Sequence, residues 1–190
     1  NPQGADNQQE RFLEVKMNLN AKKIPHQIGY YLAGFADGEG SFNVSFRRRK
    51  DYAMPWKISL CFNVSQRDKV ILALYKRWLE CGSLRARPDG VWYFEVNNFT
   101  AITQNVIPFF NQFGFLSAKK KRDFSKFKEI SRIISAKSHL NKDGIIEILS
   151  IRNQMNDGGS GRRKFSDQQI LQVFQGKSPE TTRQVRQKTG

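Results

Sequence analysis

The chain is poor in the residues that build stapled or metal-clipped folds, with 2 Cys and 2 His among 190 residues. Neither Cys61 nor Cys81 belongs to a Cys-x-x-Cys pair, and two histidines cannot complete a zinc site with them. Both read as reduced thiols of an intracellular protein. Long apolar runs are also missing: none approaches the roughly 18 residues that a membrane-spanning helix needs. Residues 1–25 contain no apolar segment of the signal-peptide kind. Acidic residues are scarce, 17 Asp+Glu against 32 Lys+Arg, so the formal net charge is +15. An excess of that size repels itself in the folded state and points to a polyanionic partner. Nucleic acid fits better than an anionic membrane, because the basic clusters do not lie along an amphipathic helix.

Aromatic mass is what the chain has in quantity. Its 15 Phe within a 38% hydrophobic composition suffice for the well-filled core of one domain. Residues 1–25 read as a polar N-terminal arm, with an ordered piece around 12–19, and Pro25 as its boundary. Residues 27–36 read as a helix, since Ile28, Tyr31, Leu32 and Phe35 recur at helical spacing. The period then changes. Phe42, Val44 and Phe46 alternate with Asn43, Ser45 and Arg47, which predicts a strand over 41–48. After a charged loop, 56–65 alternates again. Residues 68–80 predict a helix with Val70, Ile71, Leu74, Trp78 and Leu79 inward and Gly82 at its end. Pro88-Asp89-Gly90 joins two further strands, 83–87 and 91–96, as a hairpin. Asn98 is the expected N-cap of a helix over 99–113, interrupted near Pro108, and two more helices follow over 123–134 and 145–155.

The expected fold is therefore α+β: an αββαββα core over 26–156, with one four-stranded antiparallel sheet and helices packed on one face. Residues 157–190 read as a Gly-rich linker and basic C-terminal tail, in which Ser166 caps a short helix and 177–190 is disordered. The other sheet face is left open. It carries Asn43, Ser45, Arg47, Lys57, Ser59, Asn63, Arg85, Arg87 and Tyr93, side-chain types that contact base edges and phosphates. The loop Arg47-Arg48-Arg49-Lys50 would grip phosphates at one end.

Residues 32–40 read Leu-Ala-Gly-Phe-Ala-Asp-Gly-Glu-Gly and end a helix on two acids, Asp37 and Glu39. Carboxylates there oppose the helix dipole, in a protein with many lysines to choose from. A hard cation would offset the dipole and use the oxygens. Gly29, Ala33, Ala36 and Gly40 follow one another at spacings of four, three and four, a stripe that lets a second helix approach closely. If that helix belongs to a second copy, two Glu39 side chains meet near a two-fold axis, as two-metal phosphodiester cleavage requires.

The same nine residues resemble the signature of the LAGLIDADG homing endonucleases, flanked by Tyr31 before and Ser41-Phe42 after. The resemblance runs over about residues 27–155. It takes in the strand end Phe62-Asn-Val-Ser-Gln66 and the run Lys119-Lys-Lys-Arg-Asp-Phe124. The sequence departs from the signature at Phe35, Ala36, Gly38 and Glu39, and no departure removes an acid. The resemblance implies that Glu39 is a metal ligand, with the carbonyl near Gly38 also facing the metal. It makes Asp37 structural, and gives Gln66 the positioning of the attacking water. A lysine of 119–121, Lys120 or Lys119 foremost, is implied to stand near the scissile phosphate. It further implies Mg²⁺, a homodimer joined through the 27–36 helix, and cleavage of both strands of a long, near-palindromic DNA target with 3′ overhangs. It also implies a gene in an organelle intron, chloroplast or mitochondrial. An intron RNA maturase, or another non-cleaving nucleic-acid-binding protein on the same scaffold, is the alternative. Retention of Glu39 and Gln66 weighs against it.

Overall fold

The structure, a computed structural model, describes residues 24–49, 54–159 and 163–174. Its first helix, α1 (His26–Glu39), starts at Pro25 and buries Gly29, Leu32, Ala33 and Ala36. It runs three residues further than the periodicity predicts, through Asp37, Gly38 and Glu39. The chain then enters strand β1 (Gly40–Arg48) with no intervening loop. β2 (Trp56–Gln66) pairs antiparallel with β1, Gly40 opposite Val64 and Arg48 opposite Trp56. Helix α2 (Lys69–Leu79) leads to β3 (Ser83–Ala86) and β4 (Trp92–Val96), and the sheet order is β1-β2-β4-β3. All three pairings are antiparallel.

Alternation in the strands divides the sheet into two faces. Phe42, Phe46, Leu60, Phe62, Val64, Phe94 and Val96 are buried beneath the helices. Phe42 is the hub of an aromatic cluster, with ring centroids 5.0 Å from Phe127, 5.2 Å from Phe62 and from Phe124, and 5.6 Å from Phe110. Each such ring, fully buried, contributes about 1.5–3 kcal/mol through burial alone. The Tyr75 hydroxyl donates to the Leu32 carbonyl and so ties α2 to α1. Val70, expected inward, is 67% exposed in the first turn of α2, and Ile71, Leu72, Tyr75 and Leu79 form the buried side.

The helix expected over 99–113 is present in three parts: α3 (Phe99–Ala101), a π-helical stretch Ile102–Val106, and α4 (Ile107–Phe113). Asn98 caps it as expected, accepting from the Ala101 N–H. Pro108 has no N–H to give to the preceding turn. The wider π turn before it accommodates that loss, and the Ile107 N–H bonds back to Ile102.

Boundaries toward the C-terminus also differ from the sequence reading. Helix α5 (Ala118–Ser135) starts at Ala118 rather than near residue 123, so the lysine run lies in its first turn. Asp123, read as its start, is buried within it and accepts from the Asn156 N–H at 3.2 Å. After a 3₁₀ turn (Ser138–Leu140) and helix α6 (Lys142–Asn153), the described part of the supposed tail returns to the core. Ser166 caps α7 (Asp167–Gln172) with a full capping box. Ile170 is fully buried, and its carbonyl accepts from the Trp56 indole N–H at 3.0 Å. The buried Arg152 pairs with Asp167 and lies 4.7 Å from the Phe46 ring. Residues 163–174 thus belong to the core, and the boundary expected at 157 does not hold for them. The expected N-terminal arm up to residue 23 and the disordered end over 177–190 lie outside the described residues.

Ile170→Ala should cost about 2–5 kcal/mol. Urea denaturation should show a lowered midpoint at unchanged slope. A change near zero would mean that this helix is a dispensable tail.

Candidate active site

Register decides which side chains share the open face. Asn43 stands opposite Cys61, Ser45 opposite Ser59, and Arg47 opposite Lys57. Asn63 is opposite Glu95, and Tyr93 sits between Ser65 and Arg85. Nine of the ten residues expected to contact DNA therefore lie on or directly beyond one sheet face. Arg87 follows the end of β3 and holds the hairpin, its N–H donating to the Val91 carbonyl at 2.8 Å. Arg48 departs from the set. It is opposite the buried Trp56, so alternation turns it to the helical side at the rim of the sheet. The face also carries Ser41, Ser65 and Glu95, which the same alternation would have found. Glu95 bonds Arg85 at 3.0 Å and the Asn97 amide at 3.1 Å. Burial pushes the Cys61 thiol on this face up to about 11, so it stays protonated at neutral pH.

At one end of this sheet the C-terminus of α1 meets the N-terminus of α5. The Asp37 carboxylate accepts from the N–H groups of Leu116 and Ser117, each at 2.9 Å, and from the Ser117 hydroxyl. Burial pushes its pKa up. The hydrogen bonds from Ser117 and Leu116 and the charge of Lys120 outweigh this and hold it below the ordinary carboxylate value. The Ser117 hydroxyl also caps α5, accepting from the Lys120 N–H at 3.2 Å. The Lys120 ammonium reaches back and donates to the Gly40 carbonyl, the C-cap of α1. Partial burial lowers the Lys120 pKa, and Asp123, Asp37 and Glu39 oppose that shift.

The neighbouring lysine points elsewhere. Lys119 pairs with Asp157, which also holds Arg122 at 3.5 Å. Of the two lysines expected at the site, only Lys120 faces the acidic helix end. Glu39 is exposed and makes no hydrogen bond or ion pair among the described residues. Gln66 ends β2 two residues beyond Val64, the partner of Gly40, so it lies at the same sheet end as Glu39. Its side-chain oxygen accepts from the Arg67 N–H at 2.7 Å. Among the described residues no three His, Cys, Asp or Glu side chains converge as a metal-binding group.

The small-residue stripe does not face outward. A Cβ at Gly29 would lie 2.2 Å from the Phe113 ring, and one at Gly40 would lie 2.6 Å from the Ala36 carbonyl oxygen. Ala33 and Ala36 are 2% and 0% exposed. Gly29, Ala33, Ala36 and Gly40 therefore pack into their own subunit and cannot form an interface between copies. Their small size admits the chain's own Phe113 and sheet. The exposed stripe repeats the same spacing two positions earlier, about 200° around the helix. It consists of Gln27, Tyr31, Gly34 and Gly38. Added Cβ atoms at Gly34 and Gly38 would meet nothing within 4 Å.

Ser117→Ala removes the α5 N-cap and one donor to Asp37. It should cost about 0.5–2 kcal/mol in a urea titration, whereas Ser125→Ala on the exposed side of the same helix should cost little.

Comparison with known proteins agrees with this geometry. The family model described as LAGLIDADG endonuclease matches residues 32–131. A probable intron-encoded endonuclease of Neurospora crassa is 28% identical over 144 residues, which are 74% of this chain and 30% of that protein. The chain spans only 30% and 25% of the first two curated relatives it matches. The crystal structure of the homing endonuclease I-TnaI has a TM-score of 0.66 at 26% identity, covering 77% of this chain and 95% of that one. The I-LtrWI LAGLIDADG homing endonuclease bound to target DNA has a TM-score of 0.66 at 30% identity, covering 70% of this chain and 46% of that one. The signature at residues 32–40, the four-stranded antiparallel sheet and the match over more than half of the chain agree, and the protein belongs to the LAGLIDADG endonuclease family.

Proposed function

We propose that this chain is one subunit of a homodimeric, divalent-metal-dependent homing endonuclease that cuts both strands of a long, near-palindromic DNA site and leaves 3′ overhangs. One observation carries this reading: Glu39, Gln66 and the Lys120 ammonium lie at one end of a basic sheet face that no described residue covers. A duplex lying along that face would bring its backbone to those groups. The relatives support it, since one solved neighbour is bound to target DNA and several curated ones are named as endonucleases. An intron RNA maturase is the weaker reading, because it gives Glu39 and Gln66 no task.

The donor set fits a hard cation only in part within one chain. Glu39 offers a carboxylate and Gly38 a nearby carbonyl, against the six oxygens that Mg²⁺ takes. The remaining oxygens would come from a second Glu39, from water and from DNA. When bound, Mg²⁺ supplies Lewis-acid polarisation of the phosphate and a more acidic water. Glu39 and the Gly38 carbonyl would hold it, Gln66 would orient the attacking water, and Lys120 would stabilise charge developing on the phosphate. Lys119 has a phosphate-binding role in this reading, reached by leaving Asp157.

The second copy docks on the Gly34 and Gly38 side of α1, where two backbones can approach closely. The coverage supports two units acting together: the chain spans 95% of one neighbour and 46% of another, as if the longer one held two. No helix of the described residues is long and apolar enough to cross a membrane. The gene lies in an organelle intron in this reading, and the relatives named as intron-encoded support the intron origin.

Glu39→Gln should abolish Mg²⁺-dependent cleavage of a target selected from randomised DNA, while a gel shift still detects binding. Wild-type cutting by this variant would remove Glu39 from the metal site. Gly34→Leu should keep the far-ultraviolet circular dichroism spectrum and convert the dimer to a monomer in sedimentation velocity. A persisting dimer would place the interface elsewhere.

A further inference from the structure

α5 is capped twice. Ser117 already supplies the local N-cap through its hydroxyl, as in most helices. Asp37, 80 residues away in sequence, adds a second set of acceptors for the Leu116 and Ser117 N–H groups and for the Ser117 hydroxyl. A local cap alone would start the helix. The second hold does something further: it ties the N-cap of α5 to the last turn of α1.

That first turn is electrostatically unusual. It holds Lys119, Lys120 and Lys121 and no acid, although acids are the stabilising choice at a helix N-terminus. Asp37 supplies the missing negative charge from the neighbouring helix. In return the Lys120 ammonium sits on the Gly40 carbonyl, at the negative end of α1. The links form a closed loop: Asp37 to the Ser117 N–H and hydroxyl, Ser117 to the Lys120 N–H, Lys120 to Gly40, and Gly40 back along the chain to Asp37. Lys119 and Lys121 stand outside it. Lys119 is drawn off by Asp157, and Lys121 is exposed.

We propose that Asp37 is a positioning residue: by pinning the first turn of α5 to the end of α1, it sets where the Lys120 ammonium stands relative to Glu39. Asp37 itself touches neither DNA nor metal. Of three consecutive lysines, it selects Lys120 for the site. This inference rests on the endonuclease reading for its consequence in catalysis, but not for the geometry it asserts.

Two measurements on Asp37→Asn test it, at a temperature where circular dichroism shows the variant folded. The first needs no catalysis. Limited acylation of the free protein, mapped by fragmentation mass spectrometry, compares Lys120 with its neighbour Lys121 in the same molecule. In the wild type Lys121 should react several-fold faster: the Lys120 amine is half-buried and donates to Gly40, and this shielding exceeds the gain in free amine from its lowered pKa. In Asp37→Asn the ratio should fall toward one. The second measures single-turnover cleavage at saturating protein with Mg²⁺. The rate should drop roughly 10- to 100-fold, the scale of an ångström-sized misplacement, with little change in the dissociation constant for DNA. In a Lys120→Met background Asp37→Asn should add no further loss. An unchanged acylation ratio overturns the proposal, as does a loss fully additive with Lys120→Met, or one that falls on DNA binding and rate alike. If Asp37→Asn does not fold, Asp37→Glu, which keeps the charge and lengthens the arm, replaces it with the same expected shift in ratio. A wild type that cuts no DNA would overturn the endonuclease reading while the acylation ratio still decides the role of Asp37.

Discussion

The Asp37 carboxylate joins two helix ends that would each be unfavourable alone. α1 ends on acids, at the negative pole of its dipole, and α5 begins on lysines, at the positive pole of its own. Brought together, each end neutralises the other. The Asp37 carboxylate accepts from the Leu116 and Ser117 N–H groups at the start of α5, and Lys120 lies against the C-cap carbonyl of α1. An acid at a helix C-terminus reads as a sign of function when the helix is considered alone. For Asp37 the tertiary structure gives a different account, because its charge is satisfied by a neighbouring helix. Glu39, two residues on, has no such partner among the described residues and keeps its carboxylate exposed.

The sheet serves this junction from both sides. Its buried face carries the Phe42 cluster, which packs Phe124 and Phe127 of α5 onto β1 and so holds the helix start in place. Its other face, displaced by one residue along each strand, is left to Asn, Ser, Arg and Lys. A single alternation thus builds the core and a basic platform together. Because β1 follows Glu39 directly, the platform and the acid keep a fixed relation without a mobile connector. The C-terminal segment strengthens the far end of the same strands. The Trp56 indole and the buried Arg152 anchor α7 there.

Much of the site was legible in the sequence, for identifiable reasons. Strand period is two and insensitive to small errors of boundary, so the faces of Asn43, Ser45, Arg47, Lys57, Ser59 and Asn63 followed at once. Arg48, expected to grip phosphates with the loop, ends β1 on the other side of the alternation, opposite Trp56. The start of α5 was misread because three lysines are poor N-terminal residues, and the acid that compensates them is 80 residues away. The buried stripe was misread because spacing identifies a stripe of small side chains but not the surface it meets. Gly29 is small for Phe113 of its own chain, and Gly34 and Gly38 repeat the pattern on the opposite side.

The sequence by itself determined the order of elements, the two faces of the sheet, the signature at 32–40 and the family they indicate, because these depend on local periodicity and on residues adjacent in the chain. The tertiary structure alone decided which lysine faces Glu39, which side of α1 is free to meet another copy, and that α7 belongs to the core. Each of these depends on contacts between residues far apart in sequence, and no local pattern records which of several chemically similar side chains such a contact selects.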